Sequence, residues 1–149
     1  MLSSQPSLLS KCVSALSSAY SWEPELNYRY LTGLTYLIFL LNTTELDAIS
    51  KSTLKKVRGL NNGIEKSAAI EGVISHMFPS SLGKKELTRI LQCSASLVQH
   101  TGMLLLLAFL KRMKRLISSK DFISEESSLG VALMKYLPDF SLLLSLRAK

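Results

Sequence analysis

Apolar residues recur at three- and four-residue intervals through most of the chain, the period of helices that bury one side. The longest such stretch runs from Lys85 to Arg115, with an acid near its front, an apolar middle and a basic end. Within it Leu87, Ile90, Leu91, Ser94, Val98, Thr101, Leu105, Ala108 and Phe109 fall on one face. Cys93, Ala95, Ser96 and Gly102 are small, which lets a neighbouring helix approach closely. The pattern predicts one long central helix, at about 85–117, against which the other segments pack.

Before it, residues 6–20 carry Leu9, Cys12, Val13, Leu16 and Tyr20 at helical spacing. A second helix is expected over residues 24–41. Pro24 suits its first turn, Glu23 and Glu25 the positive end of its dipole, and Trp22 a staple onto it. Tyr30, Leu31, Leu34, Leu37, Ile38 and Leu41 form one stripe. Tyr28, Tyr36, Phe39 and Leu40 make the opposite side apolar too, as in a helix enclosed in the middle of a bundle. Leu37-Ile38-Phe39-Leu40-Leu41 matches the LxxLL docking pattern, but in a leucine-rich helix such a match arises easily, and burial is the preferred reading.

Thr44 with Asp47 opens a third helix that ends in Lys51, Lys55, Lys56 and Arg58, and Gly59 with Asn61-Asn62-Gly63 stops it. A fourth, to Pro79, has the stripe Ile64, Ala68, Ile70, Val73, Ile74, Met77 and Phe78. Residues 79–84 read as a loop and a candidate hinge. Beyond the central helix, Ser124-Glu125-Glu126 caps a helix through Leu129, Ala132, Leu133 and Tyr136 to Leu137, and Pro138-Asp139 breaks it. Phe140-Ser141-Leu142-Leu143-Leu144-Ser145-Leu146 is too apolar to stand in water. It must dock on the body or on a partner, or be the edge of a longer protein.

These patterns agree on an all-α fold, forming one domain over residues 1–149. An irregular bundle and a short helical-repeat-like array of about six to seven helices around the central one both fit, since helix pairs are visible but no residue pattern recurs. Carboxylates gather at helix starts and bases at two helix ends, which reinforces the helical reading.

Composition adds limits. Hydrophobic residues make up 47% of the 149 and charged ones 19%, which excludes a disordered chain. Seven glycines and four prolines are too few to punctuate a β-sandwich. Cys12 and Cys93 form no CxxC pair and lie among small or apolar residues, unlike a disulfide framework. The sequon at Asn42 has no secretory context. The serine-rich, acid-free stretch 1–22 resembles an organellar targeting segment but lacks its arginines, so a peripheral helix is preferred there.

No motif carries recognisable chemistry. His76 and His100 are far apart, without an HExxH or a Cys/His cluster. His100 reads as a histidine partly buried and hydrogen-bonded within the bundle. Cys93 lies two helical turns from His100, about 10 Å of rise, too far for a nucleophile–base pair. Neither a GxSxG elbow nor a phosphate loop is present. The expectation is a protein without enzymatic activity, cofactor, metal or small-molecule substrate.

What remains are surfaces. The formal charge of +7 concentrates in Lys51, Lys55, Lys56 and Arg58 and in Lys111, Arg112, Lys114 and Arg115. These are candidate phosphate- or partner-binding residues, and Phe140, Leu143 and Leu144 are candidate partner-docking residues. The first expectation is a helical protein–protein interaction or scaffold module in a larger assembly. The alternative is a nucleic-acid- or chromosome-associated factor touching phosphates through helix ends, with DNA the candidate. Association with a membrane surface ranks below both. An intracellular location, nuclear or cytoplasmic, is expected, with organellar import a weaker option.

Overall fold

The computed structural model describes residues 15–16, 19, 23–43, 68–72, 74, 82–118 and 126–147. The fold is all-α, and no strand occurs among the described residues. Five helices are bounded: α1 (Tyr28–Thr43), α2 (Lys84–Leu91), α3 (Ser96–Ile117), α4 (Glu126–Met134) and α5 (Phe140–Arg147). Residues 68–72 and 74 are also helical. The expected third helix, with Lys51, Lys55, Lys56 and Arg58, lies outside the described residues, as does most of the stretch 1–22.

Helix α1 begins later than Pro24. Its cap is Asn27, whose Oδ1 accepts the Tyr30 backbone N–H at 2.7 Å while its carbonyl accepts that of Leu31 at 3.1 Å. Glu25 stands outside the helix and accepts a bond from the Asn27 amide at 2.7 Å, holding the cap in place. Arg29 reaches back to the Ala19 carbonyl at 2.8 Å, tying the preceding segment to α1.

The central stretch is two helices rather than one. After Leu91 the backbone leaves helical geometry, and α3 starts at Ser96. The Gln92 and Cys93 N–H groups close the last turn of α2 onto Thr88 and Ile90. The Gln99 side-chain amide donates to the Leu91 carbonyl at 2.7 Å, so α3 satisfies a C-terminal carbonyl of α2. The break lets α2 fold back onto α3. Gly102 permits that contact: a β-carbon there would sit 2.4 Å from Ile90 Cγ2. Small residues do admit a neighbour, then, and the neighbour is the front half of the same stretch.

One apolar cluster joins these parts. Helix α1 contributes Tyr30, Leu34, Leu37 and Leu41, α2 contributes Leu87 and Ile90, and α3 contributes Val98, Leu105, Ala108, Phe109 and Met113. Ile70 and Ile74 enter it, as do Ala132 and Leu133 from α4, whereas Ala68 is exposed. Burying each leucine of this kind stabilises the fold by about 1.5–3 kcal/mol. The LxxLL leucines, Leu37, Leu40 and Leu41, are all buried, which removes them as a docking motif. Tyr30 lies near Cys93 at one end of α1 and Leu41 meets Arg112 at the other, so α1 and α3 run in the same sense.

At the expected hinge, residues 79–81 lie outside the described ones, but the remainder is anchored. Leu82 is fully buried, and the Gly83 N–H donates to the Glu86 carboxylate at 3.1 Å as α2 begins. The C-terminal segment docks at least partly on the body. Pro138 is buried, Asp139 pairs with Lys84, and Leu142 and Leu143 are half-buried. The Asp139 carbonyl accepts the Leu142 and Leu143 N–H groups as α5 starts. A second ion pair, Lys135 with Glu71, links the turn after α4 to the helical segment at 68–72, and that partner holds the Lys135 ammonium above its ordinary pKa.

Candidate interaction surface

The basic end of α3 separates into two kinds of residue. Lys111, Lys114 and Arg115 are exposed, and as cations in or near the last turn they complement the helix dipole. Arg112 is turned inward and is only 2% exposed. Its Nη1–H donates to the Leu41 carbonyl at 3.0 Å, in the last turn of α1. Burial first, and the nearby Arg115 charge second, push the Arg112 guanidinium down to about 10, so it keeps its proton at neutral pH. Arg112 therefore holds the C-terminal end of α1 and is not presented to a phosphate, a correction to its grouping with its neighbours.

The reason lies in register. Arg112 falls seven residues after Leu105 and three after Phe109, on the buried stripe. Its aliphatic stem packs with that stripe while its head meets a carbonyl that has no partner within its own helix. Two α3 side chains, Gln99 and Arg112, thus serve the C-terminal carbonyls of the two helices that α3 packs against.

Apolar residues on the outer faces are more exposed than the sequence suggests. On α1, Tyr28 is 86% and Phe39 57% exposed, and Tyr36 stands open between them. With Leu31, Thr32 and Thr35 they line an open depression along one side of the helix. Tyr36 and Phe39 stack with ring centroids 6.5 Å apart. The expectation that α1 is enclosed on all sides is therefore corrected: one side is core and the other is open. On α3, Leu97, Met103, Leu104, Leu107 and Leu110 are exposed opposite the buried stripe.

Of the candidate docking residues in α5, Leu144 is 55% exposed and Leu143 half-buried, while the side chain of Phe140 lies outside those described. Val131 and Met134 of α4 are exposed as well. His100 is also exposed, on the same side of α3 as Leu104 and Leu107, and not part-buried as its neighbours implied. Among the described residues no three His, Cys, Asp or Glu side chains lie close enough to share a metal ion. No described helix is long and apolar enough to cross a membrane.

The surface could not be chosen from sequence because α1 and α3 are apolar around most of their circumference. Leu104 and Leu107 look as suited to a core as Leu105 and Leu106. Only the packing of α1 and α2 on α3 decides which row is left outside. Compared with protein-family models, curated proteins and solved structures, the chain matches none.

Proposed function

We propose that the protein is a non-enzymatic helical interaction module that works by docking protein partners within a larger assembly. The observation that carries this reading is the row of exposed leucines and methionine on the outer side of α3, with the open aromatic side of α1 as a second exposed apolar face. A row of exposed apolar side chains along one side of a helix marks a place where something binds. An intracellular setting, nuclear or cytoplasmic, accompanies the proposal. Affinity purification of the tagged full chain with chemical cross-linking tests it. The expected result is a protein partner cross-linked to these outer faces. Enrichment of no protein above a control bait would remove the reading.

A second reading has one specific observation in its favour, the exposure of Lys111, Lys114 and Arg115 together at one helix end. Three such bases would contact nucleic-acid phosphates without reading sequence. Each phosphate neutralised lowers log K by about 0.9 per tenfold rise in salt, so three predict a slope near ~2.7 in magnitude. Titrating a labelled duplex across a salt series decides it. Binding that is absent at low salt, or that survives Lys111→Glu with Lys114→Glu and Arg115→Glu, would rule it out.

A further inference from the structure

The outer face of α3 has a directional make-up that narrows the kind of partner it fits. Leu97, Met103, Leu104, Leu107 and Leu110 follow helical spacing along the exposed side, between 38% (Met103) and 53% (Leu97) open. Together they form one row of exposed apolar side chains, the kind of surface patch that on a monomer is often functional. The row ends at the exposed bases Lys111, Lys114 and Arg115. No acid occurs in the 22 residues of α3.

These facts weigh against a second copy as occupant. Its α3 would bring the same bases and no counter-charge, on a chain whose net charge is already +7. The row also comprises only five side chains, against the roughly 20–30 residues a side of a stable interface between folded surfaces. They favour a single amphipathic helix, whose apolar residues at i, i+3, i+4 and i+7 lie along the leucine row. Its charge must be negative where α3 is positive. Acids are most favourable in a helix's first turn, at the positive end of its dipole. Placing that turn beside Lys111, Lys114 and Arg115 sets the partner antiparallel to α3, which also opposes the two dipoles.

We infer that the outer face of α3 is a docking site for an antiparallel amphipathic helix of a partner protein, with an acidic first turn facing Lys111, Lys114 and Arg115. This rests on the interaction-module reading and specifies its surface.

The test uses the full chain and two labelled synthetic helical peptides of about 20 residues, each with the leucine spacing above. One has glutamates in its first turn and the other lysines. Fluorescence anisotropy at about 0.1 M salt is expected to show the glutamate peptide binding at least about tenfold more tightly than the lysine peptide. Leu107→Glu in the protein is expected to abolish binding. Charge reversal of Lys111, Lys114 and Arg115 is expected to swap the peptide preference with the leucine row intact, and circular dichroism checks that both variants stay helical.

Equal binding of the two peptides, binding indifferent to both variants, or no binding of either would overturn the inference. So would concentration-dependent dimerisation lost in Leu107→Glu. Flotation with phosphatidylcholine–phosphatidylserine vesicles at about 3:1, lost in the same variant, would assign the face to anionic lipid instead. If the peptides fail while affinity purification still yields a cross-linked protein partner, the surface is wrong and the module reading stands. If that purification yields no partner, the reading itself fails.

Discussion

Replacing Arg112 distinguishes a structural arginine from a surface one. The residue is 2% exposed, and its guanidinium donates to the Leu41 carbonyl at 3.0 Å. Three magnitudes compete. Leaving a buried carbonyl unpaired costs about 1–3 kcal/mol. A cation at a partly buried helix C-terminus contributes up to about 2 kcal/mol. Against both stand desolvation and, behind it, the nearby Arg115 charge, which together lower the side chain to about 10 and correspond to a penalty on the charged form on the order of 3 kcal/mol. Arg112→Met keeps the packed stem, loses the bond and removes the penalty, so it is expected within about 1.5 kcal/mol of the parent. Arg112→Ala also loses the stem and leaves a cavity, and is expected to fall about 2–4 kcal/mol below the methionine variant.

Lys111→Ala and Lys114→Ala, changes at exposed positions, should stay within about 0.5 kcal/mol. Urea unfolding followed by circular dichroism reads all four, with the gap between the two Arg112 variants appearing as a shift of about 1–2 M in midpoint. The sign of the pH dependence follows from the lowered value. The penalty applies in full below about pH 10 and is relieved as pH rises further. Both folded and unfolded chains are protonated near neutrality, so the ranking should be flat between about pH 6 and 8. Arg112→Ala as mild as Lys111→Ala, or milder than Arg112→Met, would refute the buried role.

Three further outcomes are expected. Gly102→Ala should destabilise by about 1–3 kcal/mol despite alanine's better helix propensity, because its methyl would meet the stiff, buried Ile90; a more stable variant in urea unfolding would contradict the α2–α3 contact. Leu37→Ala should cost about 2–5 kcal/mol by the same assay, whereas a surface docking leucine would leave the midpoint unchanged. The Tyr30 hydroxyl is buried with no hydrogen-bond partner among the described residues, and burial, followed by the Cys93 charge, raises its pKa above the ordinary 10.0. Its contribution is complete below about pH 10 and is lost as pH rises further, so Tyr30→Phe should unfold no more easily at pH 7 and lose less stability above pH 10 than the parent; an alkaline arm identical to the parent's would contradict this.

The inward stripe of the central stretch was legible because helical periodicity records which side is buried. Leu87, Ile90, Leu91, Val98, Leu105 and Phe109 all reach the core. The break between α2 and α3 was not legible. Leu91 and Val98 are seven residues apart, two helical turns, so the stripe keeps its phase across the break. Gln92, Cys93, Ser94 and Ala95 include neither proline nor glycine to mark it. Ser94, expected inward, is exposed as a result.

For the surface, the sequence located the basic end of α3 and misgrouped one member of it. The signal was present in the spacing: Arg112 continues the row of Leu105, Ala108 and Phe109, and a charge in that register meets a carbonyl inside. Tyr28, Tyr36 and Phe39 pointed towards enclosure because an apolar side without a partner looks the same, residue by residue, as one with a partner. Pro24 looked like a helix start by its own chemistry, but Asn27, three residues later, offered the side-chain acceptor that the first turn requires.

Under the proposed docking, the outer row of α3 receives a protein partner while the inner row holds the fold. Quantitative affinity purification of the full chain beside Leu104→Ser with Leu107→Ser measures it most directly, with helicity and urea midpoint recorded for both baits. The expected result is an unfolding free energy within about 1 kcal/mol of the parent together with loss of the partner that cross-links to α3. Retention of that partner at parental levels by a folded double variant would contradict it.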